Sequence, residues 1–224
     1  MGKHVGRNGK KLPIEVAAML KIQAGGAGSV GSSAPISLLD WYDLGQELIL
    51  VLERPVPSED LWSYMYNNGG SLEEEKAKII LKQLLDAAIH LEDEGIFHRD
   101  VKCENILIET GSEVPRVRLL DFGLCCFTKK RSYYRTFHGA FAHTPPECRT
   151  RHTCRPGPTT VFQMGVVLFD MLHGCDAFAT FDGLQLRPSS FSASFSADCQ
   201  DFLTKCFTMF PDRRPKLTEL RHHP

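Results

Sequence analysis

The sequence predicts an α+β chain, with a helix and short strands in its first part and mainly helices after them. Three observations carry that expectation. Leu48-Ile49-Leu50-Val51-Leu52 is a short apolar run closed by Pro55 and Pro57, which reads as a buried strand leading into a stiff link without backbone donors. Ala77, Ile80, Leu81, Leu84, Leu85, Ala88 and Ile89 recur at helical spacing, and residues 161–172 are almost wholly apolar, as expected of a helix at the centre of a core. Between these helices lies a charged stretch, Phe97-His98-Arg99-Asp100-Val101-Lys102-Cys103-Glu104-Asn105-Ile106-Leu107, with apolar residues on both sides.

Composition narrows the function classes. With 224 residues the chain can bury a real core. Lys and Arg number 26 against 27 Asp and Glu, so no overall field favours nucleic acid or a membrane surface as partner. There is no run long enough to span a bilayer and no apolar leader-like stretch, so a soluble, cytoplasmic protein is expected, with the nucleus as alternative. The eight cysteines include no C-x-x-C pair and are expected as reduced thiols; Cys103 and the Cys125-Cys126 pair read as small apolar filler.

Taken in order, the first eleven residues are basic and glycine-rich (Lys3, His4, Arg7, Lys10, Lys11). Residues 12–22 are expected to be a helix, with Pro13 in its first turn and Ile14, Ala17, Ala18 and Ile22 on one face. Gly26-Ala27-Gly28-Ser29-Val30-Gly31 spells G-x-G-x-x-G, but it follows a helix rather than a strand and is read as a flexible connection. Ser71-Leu72-Glu73-Glu74 has the spelling of a capping box at the head of the long helix, and Gly95 ends that helix. Val117-Arg118-Leu119-Leu120 is expected as a short strand that delivers Asp121 at its end. Gly174 caps the apolar helix, and a further helix is expected over residues 202–210.

The residue types in two stretches point to phosphoryl transfer, where catalysis is mostly positioning and charge stabilisation. Asp100 can accept a proton from a hydroxyl, Lys102 can neutralise a phosphate oxygen, and Asn105 can offer an amide oxygen to Mg²⁺. Sixteen residues after Asn105, Asp121-Phe122-Gly123 supplies a carboxylate for the same ion.

The spelling H-R-D-x-K-x-x-N at residues 98–105 resembles the catalytic loop of the eukaryotic protein kinases, and Asp121-Phe122-Gly123 resembles their metal-binding triplet. Thr144-Pro145-Pro146-Glu147 resembles the end of their activation segment, and Pro211-Asp212-Arg213-Arg214-Pro215 the late element whose Arg pairs with that Glu, here Arg214 with Glu147. Leu50-Val51-Leu52-Glu53-Arg54-Pro55-Val56-Pro57, the upstream Pro13-Ile14-Glu15-Val16 and the T-P-P-E ending are similar to the PIM-type serine/threonine kinases.

That resemblance implies a bilobal kinase-like fold: residues 1–52 as a partial small lobe, 53–57 as hinge and 58–224 as the large lobe. It implies ATP and Mg²⁺ as cofactors, with Asp100 and Lys102 catalytic and Asn105 and Asp121 holding the metal. Lys3 would hold the α- and β-phosphates and pair with Glu15. Glu53 would offer its carbonyl to the adenine amine, Pro57 would replace a hinge donor, and Asp60 would face the ribose. Glu104 and Asp60 leave acidic charge at the cleft edge, so the expected partners are protein substrates carrying Ser or Thr with Arg upstream, phosphorylated by a monomer. Arg99 could pair with phosphate on Ser132, Tyr133, Tyr134 or Thr136.

Several positions depart from the family. The glycine-rich loop expected before the Lys3 strand is missing. Ala140 replaces a Thr that would bridge Asp100 and Lys102, Phe141 and His143 alter the wall that meets the residue after the phosphosite, and Thr160 stands where most kinases place an Asp that holds the catalytic-loop backbone. Two alternatives therefore stay open, a catalytically weak kinase-like binding protein and a small-molecule phosphotransferase.

Overall fold

The structure is a computed structural model that describes residues 3–5, 11–25, 30–129, 132–139, 143–174, 177–180 and 195–224. Two strands open the chain, β1 (Lys3–Val5) and β2 (Lys11–Pro13), paired antiparallel with Lys3 opposite Pro13. Helix α1 (Ile14–Gly25) follows directly, so the expected helix begins two residues late and Pro13 ends a strand instead of sitting in the first helical turn. It buries Val16, Ala17, Ala18, Met19 and Ile22.

The short helix α2 (Val30–Ser33) leads to the antiparallel ribbon β3 (Leu38–Asp43) and β4 (Leu48–Leu52). Trp41, Leu48 and Leu50 pack on the core, whereas Tyr42 faces Ile49 across the strands with both side chains largely in solvent. The strand expected to be buried is thus half exposed. Its run is apolar on both faces, but among the described residues the ribbon has only two strands and one covered face.

After the cis Val56–Pro57 bond come β5 (Ser58–Asp60), α3 (Leu61–Asn67) and α4 (Glu74–Asp93). The expected capping box does not form. Glu73 is the N-cap without a side-chain bond, and the Glu74 carboxylate instead accepts from the backbone N–H and hydroxyl of Ser196, at the start of a distant helix. Gly95, at φ +64°, ends α4 in the left-handed conformation that glycine adopts at little cost. Of the expected flexible connection, residues 26–29 lie outside the described residues, whereas Gly31 belongs to α2: a Cβ there would collide with the Asp86 carbonyl, so its lack of a side chain lets α2 lie against α4.

Strand β6 (Ile96–Phe97) precedes a 3₁₀ turn (Cys103–Asn105), the hairpin β7 (Ile106–Glu109) and β8 (Arg116–Leu119), and β9 (Cys126–Phe127), which pairs with β6. Gln83 of α4 clamps this hairpin, donating to the Pro115 carbonyl at 2.8 Å and accepting from the Val117 N–H at 3.0 Å.

The remaining elements are helical: α5 (Pro146–Arg151), α6 (Pro156–His173), α7 (Ala177–Thr180), α8 (Ala197–Cys206) and α9 (Leu217–Arg221). Every residue of α6 from Val161 to Leu172 is buried, as a continuous apolar run demands. Helix α8 starts at an N-cap serine, Ser196, and stops at Cys206, earlier at both ends than the expected 202–210. The Arg214 guanidinium grips both Glu147 oxygens at 2.7 Å and also reaches the Pro158 and Thr208 carbonyls, joining α5, α6 and the end of α8. One cysteine expectation is corrected: Cys148 and Cys154 form a disulfide, their Cα atoms 5.1 Å apart, because the chain turns back after α5 through His152 at φ +48°. Cys103 and Cys125 are buried, and burial pushes the Cys125 thiol up to about 12, in keeping with apolar filler.

Candidate active site

The antiparallel register of β7 with β8 sets Ile106 opposite Leu119, and the Leu120 N–H donates to the Asn105 carbonyl at 2.8 Å. That register brings the charged stretch after β6 beside Asp121. The Val117–Leu120 strand was legible as an apolar run and β7 was not singled out; their pairing is what makes one site of two motifs.

Within the stretch, His98 is the pivot. Its Nδ1 accepts from the Asp100 N–H at 3.3 Å, which places the proton on Nε2, and Nε2–H donates to the Leu120 carbonyl at 2.9 Å. Burial holds His98 below the usual histidine range, although Leu120, Asp100 and Asp121 pull the other way. A neutral imidazole thus links the turn that carries Asp100 to the strand end that carries Asp121. The Phe122 ring meets the imidazole edge-on and is buried, fixing the backbone on either side of it.

Asp100 is buried. Asn105 Nδ2 donates to its carbonyl at 2.9 Å and to its carboxylate at 3.0 Å. The Lys102 ammonium lies 3.5 Å from the same carboxylate and 3.8 Å from Glu104. Asp100, Lys102, Glu104 and Asn105 are therefore one contiguous cluster. Both Asn105 donors point to Asp100, so its amide oxygen is the atom left to meet a cation.

Glu15 and Asp121 meet on the other side. Both carboxylates border Gly123, where a Cβ would lie 3.1 Å from Asp121 Oδ1 and 3.7 Å from Glu15 Oε2. Burial raises the Glu15 carboxyl above the usual carboxylate range, and the Asp121 charge raises it further. A partly buried acid beside an exposed one of the same charge fits a cation between or beside them, and this is the observation that suits the residues present to Mg²⁺. The backbone supports the same reading. Arg99 (φ +77°) and Asp121 (φ +57°) are non-glycine residues held left-handed, a conformation that survives only where its surroundings enforce it.

The other expected residues are placed less directly. The Lys3 backbone belongs to β1, but its side chain, and with it the expected Lys3–Glu15 pair, lies outside the described residues. The Glu53 carboxylate binds the Ser37 N–H and hydroxyl and the Arg118 guanidinium, fixing the end of β4 to β8. Asp60 caps α3 through the Ser63 N–H and hydroxyl, both at 2.8 Å, and its register partner Leu107 lies two residues beyond Asn105. Thr160 donates to the Pro156 carbonyl within its own helix, not to the catalytic loop. Ala140 and Phe141 lie outside the described residues. His143 is buried and held low by that burial, against the opposing charges of Glu104 and Asp100.

Sequence reasoning offered Tyr134 only as a phosphate acceptor beside Arg99 and missed Gln163. The Tyr134 ring stacks on the Arg99 guanidinium at 4.5 Å, and its hydroxyl donates to the Phe127 carbonyl at 3.2 Å. Gln163 donates to the Arg99 carbonyl, and its only signal was a carboxamide inside a run of apolar residues.

Comparison with known proteins agrees with this geometry. The family described as "Protein kinase domain" matches residues 27–224. The serine/threonine-protein kinase pim-2 of Danio rerio is 35% identical over 215 residues, which cover 95% of this chain and 68% of that protein. The serine/threonine-protein kinase prk-2 of Caenorhabditis elegans is 29% identical over 223 residues, covering 97% of this chain and 48% of its own length. Sperm motility kinase 2A of Mus musculus is 29% identical over 195 residues, covering 84% and 38%. The chain thus spans about half or less of the last two.

Proposed function

Because the chain belongs to the protein kinase domain family, similar to the PIM type, we propose that it transfers the γ-phosphoryl group of ATP to serine or threonine hydroxyls of protein substrates. The division into residues 1–52, 53–57 and 58–224 as partial small lobe, hinge and large lobe is part of the proposal. The observation that carries it is the shared cluster of Asp100, Lys102 and Asn105, tied to Asp121 by the Leu120–Asn105 bond.

Asp100 orients the acceptor hydroxyl and takes its proton, held for that by Asn105 from one side and by its own N–H on His98 from the other. Lys102, between Asp100 and Glu104, offers its ammonium to the phosphoryl oxygens, where charge develops. Asn105, through its amide oxygen, and Asp121 would hold Mg²⁺, with Glu15 and Lys3 completing the phosphate side; the ion supplies charge neutralisation to the triphosphate. The Glu53 carbonyl and Pro57 border the adenine, and Asp60 the ribose. Glu104, half exposed at the cleft edge, favours Arg upstream of the acceptor.

The test is phosphate transfer from ATP to a serine peptide series with upstream Arg replaced stepwise by Ala. Turnover is expected to fall along the series and to fall by about 10²-fold or more in Asp100→Asn. Equal turnover across the series removes the basic preference, and an unimpaired Asp100→Asn removes the mechanism. A second reading, a kinase-like protein that binds without turnover, is favoured by the exposed outer face of the β3–β4 ribbon. Under that reading nucleotide binds and no phosphate reaches the peptide.

A further inference from the structure

We propose that Gln163 is a positioning residue of the catalytic loop, holding the Arg99 backbone in its left-handed conformation and through it the adjacent Asp100. This rests on the kinase reading above for its effect on turnover, though not for the contact itself.

Gln163 is fully buried in α6, among residues that are otherwise almost all apolar. Its Nε2 donates to the Arg99 carbonyl at 2.7 Å. A carbonyl can only accept, so the amide nitrogen must be the atom that faces it. The amide oxygen, by contrast, is buried with no hydrogen-bond partner among the described residues. A buried unsatisfied oxygen is unfavourable, and an apolar residue of similar size would avoid it. What the carboxamide adds at this place is a donor, and the one described acceptor it serves is Arg99.

The carbonyl is confined from a second direction. A Cβ at Gly139 would come within 2.8 Å of it, so the segment passes close only because residue 139 has no side chain. The Arg99 side chain is held separately, its guanidinium over the Tyr134 ring at 4.5 Å and near the Phe97 ring at 5.9 Å. Arg99 thus has its carbonyl fixed by α6 and its guanidinium by the segment that follows β9, while its φ of +77° opposes relaxation into either. The same peptide carries the Asp100 N–H, which donates to His98 from its other edge. If the Arg99 carbonyl is released, the Arg99–Asp100 peptide can rotate, and the Asp100 carboxylate loses its fixed relation to Asn105 and Lys102. Thr160 cannot substitute, because its hydroxyl is committed to Pro156.

The experiment uses the full chain and compares Gln163→Met, which keeps the length and removes the donor, with Met164→Leu, a neighbouring core change that does not touch Arg99. In Gln163→Met, kcat is expected to fall about tenfold to a hundredfold with KM for Mg·ATP within about twofold. Backbone amides of residues 98–102 should exchange hydrogen faster, and in Met164→Leu neither quantity should move. A purely structural role would lower the unfolding midpoint of both variants and leave turnover per folded molecule unchanged. Wild-type kcat together with wild-type exchange at residues 98–102 in folded Gln163→Met would overturn the proposal. A wild-type chain that transfers no phosphate would defeat the kinase reading alone, and the exchange comparison would still decide the clamp. Should Gln163→Met not fold, Gln163→Asn, one methylene too short to reach, takes its place.

Discussion

Helix α6 and the β3–β4 ribbon treat apolar side chains in opposite ways. Along α6 twelve consecutive residues, Val161 to Leu172, are buried, and the polar ones among them have assigned work: Gln163 donates to Arg99, and Asp170 accepts from the Phe178 N–H at 2.7 Å. On the ribbon, Leu39, Tyr42, Ile49 and Val51 are between 39% and 65% exposed. The difference sorts the chemistry. Asp100, Lys102 and Asn105 stand on the densely packed side, where a displacement would be opposed by many contacts. The strands that would lie over a nucleotide stand on the thin side, where small movements cost little. On the proposed function, positioning of the acceptor hydroxyl would therefore be built into the fold more firmly than enclosure of the phosphates.

The comparison breaks first at Arg214. Its guanidinium is fully buried and bidentate to Glu147, so Arg214→Ala leaves an uncompensated buried carboxylate and should destabilise by about 3–5 kcal/mol, read from denaturant unfolding. A loss near zero would mean that the packed side is not as dense as its burial suggests.

Acid provides the next test. His98 and His143 both titrate below their ordinary 6.5 in the folded chain, chiefly because each is buried. The unfolded chain then takes up protons first, so their contribution to stability is complete above about pH 6.5 and is lost as pH falls from there toward the folded values. The melting temperature should be flat between about pH 7 and pH 8 and decline below 6.5, with a shallower decline in His98→Gln. A melting temperature that rises on acidification would contradict the buried neutral imidazoles.

The smallest effect belongs to the ribbon. Val51→Thr, on its outer face, should change stability by no more than about 0.5 kcal/mol. A loss of several kcal/mol there would show that something covers the face in solution and would erase the contrast with α6.

How much of this could be read from the sequence follows the same division. The charged stretch at 97–107 and the Asp121 triplet were legible because their chemistry needs particular residue types at short, fixed spacing, whereas the Glu147–Arg214 pair, 67 residues apart, was legible only through the family resemblance. Helices α4 and α6 were legible from periodicity and from an unbroken apolar run. The failures have local causes. Glu74 belonged to Ser196, 122 residues away, and no window around Ser71 contains that information. Leu48–Leu52 is apolar enough for burial on two faces, yet the number of neighbouring strands is a property of the sheet. The Cys148–Cys154 bond depended on a left-handed turn at His152. Gln163 was visible only as an anomaly, and its partner lies 64 residues away.

The central claim is that Asn105 and Asp121 present their oxygens to one metal-bound triphosphate, and calorimetry of ATP binding to the full chain with and without Mg²⁺ tests it most directly. Mg²⁺ should tighten ATP by roughly tenfold or more, about 1.4 kcal/mol, and Asp121→Asn should remove most of that gain. Equal affinity with and without Mg²⁺, or a gain untouched by Asp121→Asn, would contradict it.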